Sequence, residues 1–237
     1  MFVIVRRSGT AMYRFAVYVD KPAKLGYNNR RKATDMKNFI MTVPMQAPTN
    51  LHKIKYISMG GKELESEYKT CYPVFTALDN VVEAGEKVKL TLIVVDHDNV
   101  RSNLASFLNE LKDFAGKHSF TYEIQKLDTP YDESTDTHLE LFGKVIDSIA
   151  PGDEVTADIT YGSKPMPMII SMALSYAKNN ISGTDIQRII YGRYDFVHNK
   201  AFVHDVTALF YMNSVVEKLG HTKAEDPRNI IRTMLEL

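Results

Sequence analysis

The chain lacks any excess of charge: 29 basic residues balance 29 acidic ones over 237 positions. That balance argues against a broad basic face for duplex DNA or RNA, although a few local donors suffice for a small anion. The single cysteine, Cys71, rules out an intramolecular disulfide, which suits a reducing compartment. Beside Tyr72 and Val74 it reads as a small buried hydrophobe. No apolar run approaches the ~18 residues of a membrane span. The start, Met1-Phe-Val-Ile-Val-Arg-Arg7, is apolar before basic, the reverse of a signal peptide. The expected location is the cytoplasm, with no membrane partner. The Walker spacing and the dinucleotide G-x-G-x-x-G are both missing. Seven histidines form no H-x-H or H-E-x-x-H arrangement, so no zinc or other metal site is expected, and no cofactor.

What the chain does contain is ordinary globular material, with 44% hydrophobic and 24% charged residues, enough for one or two domains. Its most informative stretch is Asp158-Ile-Thr-Tyr-Gly-Ser-Lys-Pro-Met166. A β-rich segment, 154–160, precedes it and a dense apolar helical pattern, 165–180, follows. A strand, a small-residue turn with a lysine and a helix start are thus predicted in succession. Unpaired N–H groups and the positive dipole end of a helix favour a phosphate there. Gly162 permits close backbone approach, Thr160 and Ser163 add hydroxyls, and Lys164 adds a point charge.

Along the rest of the chain, Phe2–Val5 and Tyr13–Val19 suggest a hairpin, Asn28–Lys32 a basic loop, and Pro44 and Pro48 interrupt regular structure. Residues 1–52 therefore read as an N-terminal extension. From Lys53 strands and helices alternate: strands at 54–59, 88–95, 120–124, 154–160, 186–191 and 200–204, and helices at 65–83, from Asp98 or Asn99 through Phe114, 137–149, 165–180 and 206–219. Asp98 or Asn99 is the expected cap of the second helix and Thr137-x-x-Glu140 a capping box for the third. The alternation predicts an α/β protein with a doubly wound, mainly parallel sheet flanked by helices over 53–220, and a C-terminal helix or tail over 221–237. Ligands in such sheets bind beyond the carboxyl ends of the strands. Two Gly-and-Lys loops are expected there: Gly60-Gly61-Lys62 and Gly162-Ser163-Lys164.

The stretch from Asp158 onward resembles the CARF family, the CRISPR-associated Rossmann-fold sensors of cyclic oligoadenylates. Asp158-Ile-Thr160-Tyr161-Gly162 is similar to that family's Asp-x-Thr-His-Gly, with Tyr161 in place of the histidine. Gly162-Ser163-Lys164-Pro165-Met166 is similar to its Gly-Thr/Ser-Lys-x-Met. Ile190-Tyr-Gly192 and Phe202-Val-His-Asp-Val-Thr-Ala-Leu209 resemble its Tyr-Tyr-Gly and Asp-Leu-Thr-Pro-Leu segments. The resemblance covers roughly 53–220. It implies a Rossmann-like domain, a homodimer, and a cyclic tetra- or hexa-adenylate across the two-fold axis. Thr160, Tyr161, Gly162, Ser163, Lys164, Met166, Gly60, Gly61 and Lys62 would line the ligand. Some family members also cleave the ring without metal by attack of a ribose 2′-OH; Lys164 and Ser163 would then serve catalysis. The resemblance leaves open a sensor, a ring nuclease and a fragment of a longer effector. An unrelated α/β nucleotide-binding enzyme with its phosphate at Gly162–Lys164 is the competing reading.

Other signals carry less. Arg193-Tyr-Asp-Phe-Val-His198 has the R-x4-H spacing of HEPN ribonucleases but falls between two strands rather than in a helical bundle. Asp96-His97-Asp98 has metal-ligand residue types, but helix capping explains it more simply. Met166, Met168 and Met172 read as core packing.

Overall fold

The structure, a computed structural model, describes residues 36–59, 61–222 and 225–235. The expected hairpin in 1–19, the Asn28–Lys32 loop and Gly60 lie outside them. Eight strands form one sheet in the order β3-β2-β8-β7-β6-β1-β4-β5. The strands are β1 Lys37–Thr42, β2 Ile54–Ser58, β3 Lys69–Thr70, β4 Lys87–Val95, β5 Thr121–Thr129, β6 Glu154–Asp158, β7 Asp185–Asp195 and β8 Lys200–Asp205. The core β7-β6-β1-β4-β5 is all parallel. The other three strands extend it: β8 pairs antiparallel with β7, β2 parallel with β8, and β3 antiparallel with β2.

This is a Rossmann-like α/β fold. The helices are α1 Val74–Val81, α2 Asp98–His118, α3 Thr135–Asp147, α4 Met166–Asn180, α5 Thr207–Thr222 and α6 Pro227–Leu235. Residues of α1 and α2 pack with Phe39, Leu90 and Leu92 in one core; α3, α4 and Phe210 of α5 pack with Ile40, Ile93 and Ile189 in another. Alternate residues of β1 and β4 thus feed opposite cores, and both strands are apolar on both sides. The chain builds outward from β1 to β4 and β5, then returns to place β6 and β7 on the other side of β1. The switch point therefore lies between β1 and β6, and its crevice opens at their carboxyl ends.

The sheet begins earlier than residue 53. β1 falls within the segment read as an extension, and it is central. Its apolar pattern is interrupted by Asn38, which is fully buried. That amide is satisfied by the Ser148 carbonyl at 3.1 Å, Asp153 at 3.0 Å and the Thr91 hydroxyl at 3.0 Å, so the strand tolerates it.

The helix expected over 65–83 is shorter. Pro73 precedes α1, and the Thr70 hydroxyl accepts the Tyr72 N–H at 2.9 Å in place of a helical carbonyl. Tyr68, Tyr72, Phe75 and Leu78 mimic helical spacing because all face the same core. Two caps lie earlier than expected. His97 Nδ1 accepts the Asn99 N–H, and Ser134 Oγ accepts the Thr137 N–H. Both caps have extended backbone, whereas Asp98 and Thr137 are already helical. Among the described residues no helix is long and apolar enough to cross a membrane.

Candidate functional site

The Asp158–Met166 segment leaves β6 at the switch point. Asp158 is 1% exposed and ends the strand. Its Oδ1 accepts the Thr160 N–H at 2.9 Å and also the Thr160 hydroxyl. Its Oδ2 has no hydrogen bond of normal geometry among the described residues. Burial pushes the carboxyl up to about 6, and the Thr160 groups, with the Val74 N–H, offset part of that effect. The Thr160 oxygen in turn accepts the Gly192 N–H at 2.7 Å. Thr160 therefore ties β6 to β7, and its hydroxyl hydrogen is committed to Asp158 rather than to a ligand.

The next residues form the turn itself. The Tyr161 hydroxyl donates to the Cys71 carbonyl at 2.6 Å, which leaves the ring as a wall. Burial holds the phenol well above its ordinary range, so it stays protonated. Gly162 has φ +113°, and a Cβ there would meet Met166 Cγ at 2.9 Å and Thr42 Cγ2 at 3.3 Å. Only glycine lets the turn lie this close to α4. Met166 is buried beneath it.

The N–H groups of Tyr161, Gly162, Ser163 and Lys164 make no hydrogen bond among the described residues. Among the described residues the buried Ser163 hydroxyl has no partner. Lys164 is exposed and makes no ion pair among the described residues. Pro165 and Pro167 remove two donors from the start of α4. An anion here would therefore be held by the turn's N–H groups, Ser163 and Lys164, with the helix dipole as support.

The structure brings Thr160, Tyr161, Gly162, Ser163, Lys164 and Met166 together. It does not bring Gly61 and Lys62 beside them, because β7 and β8 stand between β6 and β2. β2 runs antiparallel to the core strands and ends at Ser58, level with Gly192, so the loop turns back across the sheet. There Arg188, which pairs with Thr156 in mid-sheet, holds the Glu63 carboxylate at 2.6 Å and the Glu63 carbonyl at 3.1 Å. An end-of-strand loop is legible in a sequence; the direction of an added strand is not.

Two recesses flank the turn along the carboxyl edge. One, of about 240 Å³, is lined by Thr160, Tyr161, Tyr56, His52, Tyr194 and Phe196, with Arg193 at its margin. The other, of about 640 Å³, lies over the ends of β4 and β5 and carries Asp96, Asp98 and Asp128 with His97 and Arg101. A gap of about 10 Å³ lined by Ser163, Met166 and His138 adjoins it through the shared residues Val95 and Pro130. Three carboxylates disfavour phosphate in the larger recess; the aromatic one has no such barrier. His52, Tyr56 and His138 carry no sequence signal, and Arg193, Tyr194 and Phe196 fall within the R-x4-H stretch rather than among the expected ligand residues. Only Tyr191-Gly192, within the Tyr-Tyr-Gly resemblance, pointed toward this side of the turn.

The demoted signals find structural roles. Asp195 and His198 pair within the β7–β8 turn at 3.0 Å, while Arg193 lies over the Phe202 ring. Burial raises the Cys71 thiol to about 11, so it is neutral and unreactive at ordinary pH. Among the described residues no three His, Cys, Asp or Glu side chains converge to hold a metal ion. Met166 packs in the core as expected, but Met168 and Met172 are 67% and 55% exposed, because they lie on the outward face of α4. No family model matches the chain, and no curated protein matches it.

Proposed function

We propose that the protein is a cytoplasmic CARF-type receptor that binds a cyclic oligoadenylate at the Thr160–Lys164 turn across a homodimer. The observation that carries this reading is the turn's composition at the switch point: among the described residues, four consecutive N–H groups have no acceptor, the buried Ser163 hydroxyl has no partner and Lys164 makes no ion pair. These are donors for phosphate oxygens. The neighbouring aromatic recess offers surfaces for bases. A cyclic ligand with two-fold symmetry matches an isologous dimer in which each protomer supplies the same turn. The exposed Met168, Met172 and Tyr176 recur every four residues along α4 and supply an apolar stripe for such a dimer.

Ring cleavage fits the same site. A ribose 2′-OH would attack the adjacent phosphorus in line, the bond to the 5′-oxygen would break, and a 2′,3′-cyclic phosphate and a 5′-hydroxyl would result. The proton lost from the 2′-OH balances the one gained by the leaving oxygen. Lys164 would stabilise charge on the phosphate and Ser163 would orient it.

The test is incubation of the protein with cyclic tetra- and hexa-adenylate in EDTA, following melting temperature and nucleotide chromatography. A melting shift with intact ring indicates a receptor. A shift followed by linear products indicates a metal-independent ring nuclease. Stabilisation by a mononucleotide but by neither ring would instead favour an unrelated nucleotide enzyme. No response to any of them removes the proposal.

A further inference from the structure

The β7–β8 hairpin presents an aromatic cluster that reaches beyond the hydrophobic cores: Tyr194 packs against the first core, whereas Phe196 belongs to neither. His52 and Tyr194 are stacked, with centroids 4.3 Å apart and planes 15° from parallel. Phe196 stands edge-on to both, at 6.1 Å from His52 and 4.9 Å from Tyr194, yet it is 79% exposed. A lone exposed aromatic needs no explanation. This one continues a stacked pair at the mouth of a recess that shares Thr160 and Tyr161 with the phosphate turn.

The hairpin tip is held before any ligand arrives. Asp195 Oδ1 accepts the Val197 N–H at 2.9 Å and the His198 N–H at 3.1 Å, and Oδ2 pairs with His198 Nδ1 at 3.0 Å. The Tyr194 hydroxyl bonds the Asn199 side chain. Presenting Phe196 from a preformed turn lowers the ordering cost of binding. Gln46 and Asn50 bring amide donors and acceptors to the same recess, the groups that read base edges. At about 240 Å³ the recess is smaller than the roughly 300–1,000 Å³ of sites for drug-sized ligands. It suits one base rather than a dinucleotide.

We infer that this recess is a nucleobase subsite, in which an unpaired base stacks against Phe196 and the His52–Tyr194 pair while its phosphate lies at the Gly162–Lys164 turn. The inference deepens the proposed function and rests on it for the phosphate end of the ligand.

The chain contains no tryptophan, so Phe196→Trp places a single reporter on the exposed hairpin. This variant is titrated with AMP, with ribose 5-phosphate, and with cyclic tetra- and hexa-adenylate, reading tryptophan emission and, separately, calorimetric binding. The expected result is that AMP changes the emission and ribose 5-phosphate does not. Adding Tyr194→Ala should weaken AMP binding about tenfold, within the range for loss of one base–aromatic stack. No emission change with AMP, or an equal change with ribose 5-phosphate, overturns the subsite. If AMP changes the emission but neither ring binds, the subsite stands and the cyclic-oligoadenylate reading falls. If a ring binds calorimetrically without altering the emission, the reading stands and the subsite falls.

Discussion

Thr160 gives both its N–H and its hydroxyl hydrogen to one carboxylate oxygen of Asp158. The hydroxyl oxygen also receives the Gly192 N–H. One short side chain therefore joins the end of β6 to β7 and sets where the phosphate turn begins. Thr160→Val keeps the shape but removes the hydroxyl link and leaves the Gly192 N–H without its acceptor. It should cost about 1–3 kcal/mol of stability, for two half-buried hydrogen bonds. Thr160→Ser should recover most of that loss. Urea unfolding of the three proteins checks both expectations.

Asp158 makes a prediction about pH. Its folded value of about 6 lies above the ordinary 3.8. Folding therefore favours the protonated form. The stability from this group is complete below about pH 4, declines as pH rises through 6, and is level above that. Asp158→Asn keeps an acceptor for Thr160 and cannot ionise. The stability difference between Asp158→Asn and the parent should therefore move in favour of the variant by up to about 3 kcal/mol between pH 4 and 7. Paired melting curves across that range measure it. A constant difference would mean that Asp158 is solvated or partnered in the folded protein.

Gly162 is constrained twice, by its φ of +113° and by the 2.9 Å approach of a Cβ to Met166 Cγ. Gly162→Ala should destabilise the protein by about 2–4 kcal/mol, combining backbone strain with overpacking. Adding Met166→Ala removes the overpacking but leaves the strain and opens a cavity. The double variant should therefore not return to parental stability in chemical denaturation.

Much of this was legible in the residues. The strand–turn–helix at Asp158–Met166 follows from β-branched residues, a small-residue turn and an apolar helix, and the structure has it at those positions. β1 was hidden because its strand signal is short, contains the buried Asn38 and is followed closely by Pro44. The Gly61–Lys62 loop stands apart from the turn because β7 and β8 lie between β2 and β6, an order that spacing does not reveal. The aromatic recess was illegible for a related reason: His52, Tyr56, Tyr161, Tyr194 and Phe196 come from three separate stretches, which only the sheet order brings to one edge. Met168 and Met172 looked like core because α4 is apolar almost all round; burial divides its faces, and that depends on which helices flank it.

The outward face of α4 yields a prediction about assembly. Met168, Met172 and Tyr176 are 67%, 55% and 43% exposed. Replacing Met168 and Met172 with glutamate puts four negative charges at a two-fold contact, two from each protomer. A dimer formed through this face should become monomeric in light scattering at micromolar concentration, while the melting temperature of the fold changes little. If the double variant keeps the parental mass, the dimer uses another surface or does not form.

Lys164 separates binding from folding. It is exposed, precedes α4 and makes no ion pair or hydrogen bond among the described residues, so its removal breaks no internal polar contact. Lys164→Ala should leave the melting temperature of the free protein unchanged. It should weaken cyclic oligoadenylate binding by about 1.5–3 kcal/mol, the range for a hydrogen bond to a charged group, which is roughly 10- to 150-fold. Lys164→Arg keeps the charge but changes its geometry, and should recover part of the affinity. Raising the salt concentration should narrow the gap between parent and Lys164→Ala, because an exposed cation is screened. Equal affinities for parent and Lys164→Ala at low salt would mean that the phosphate is not held at this turn.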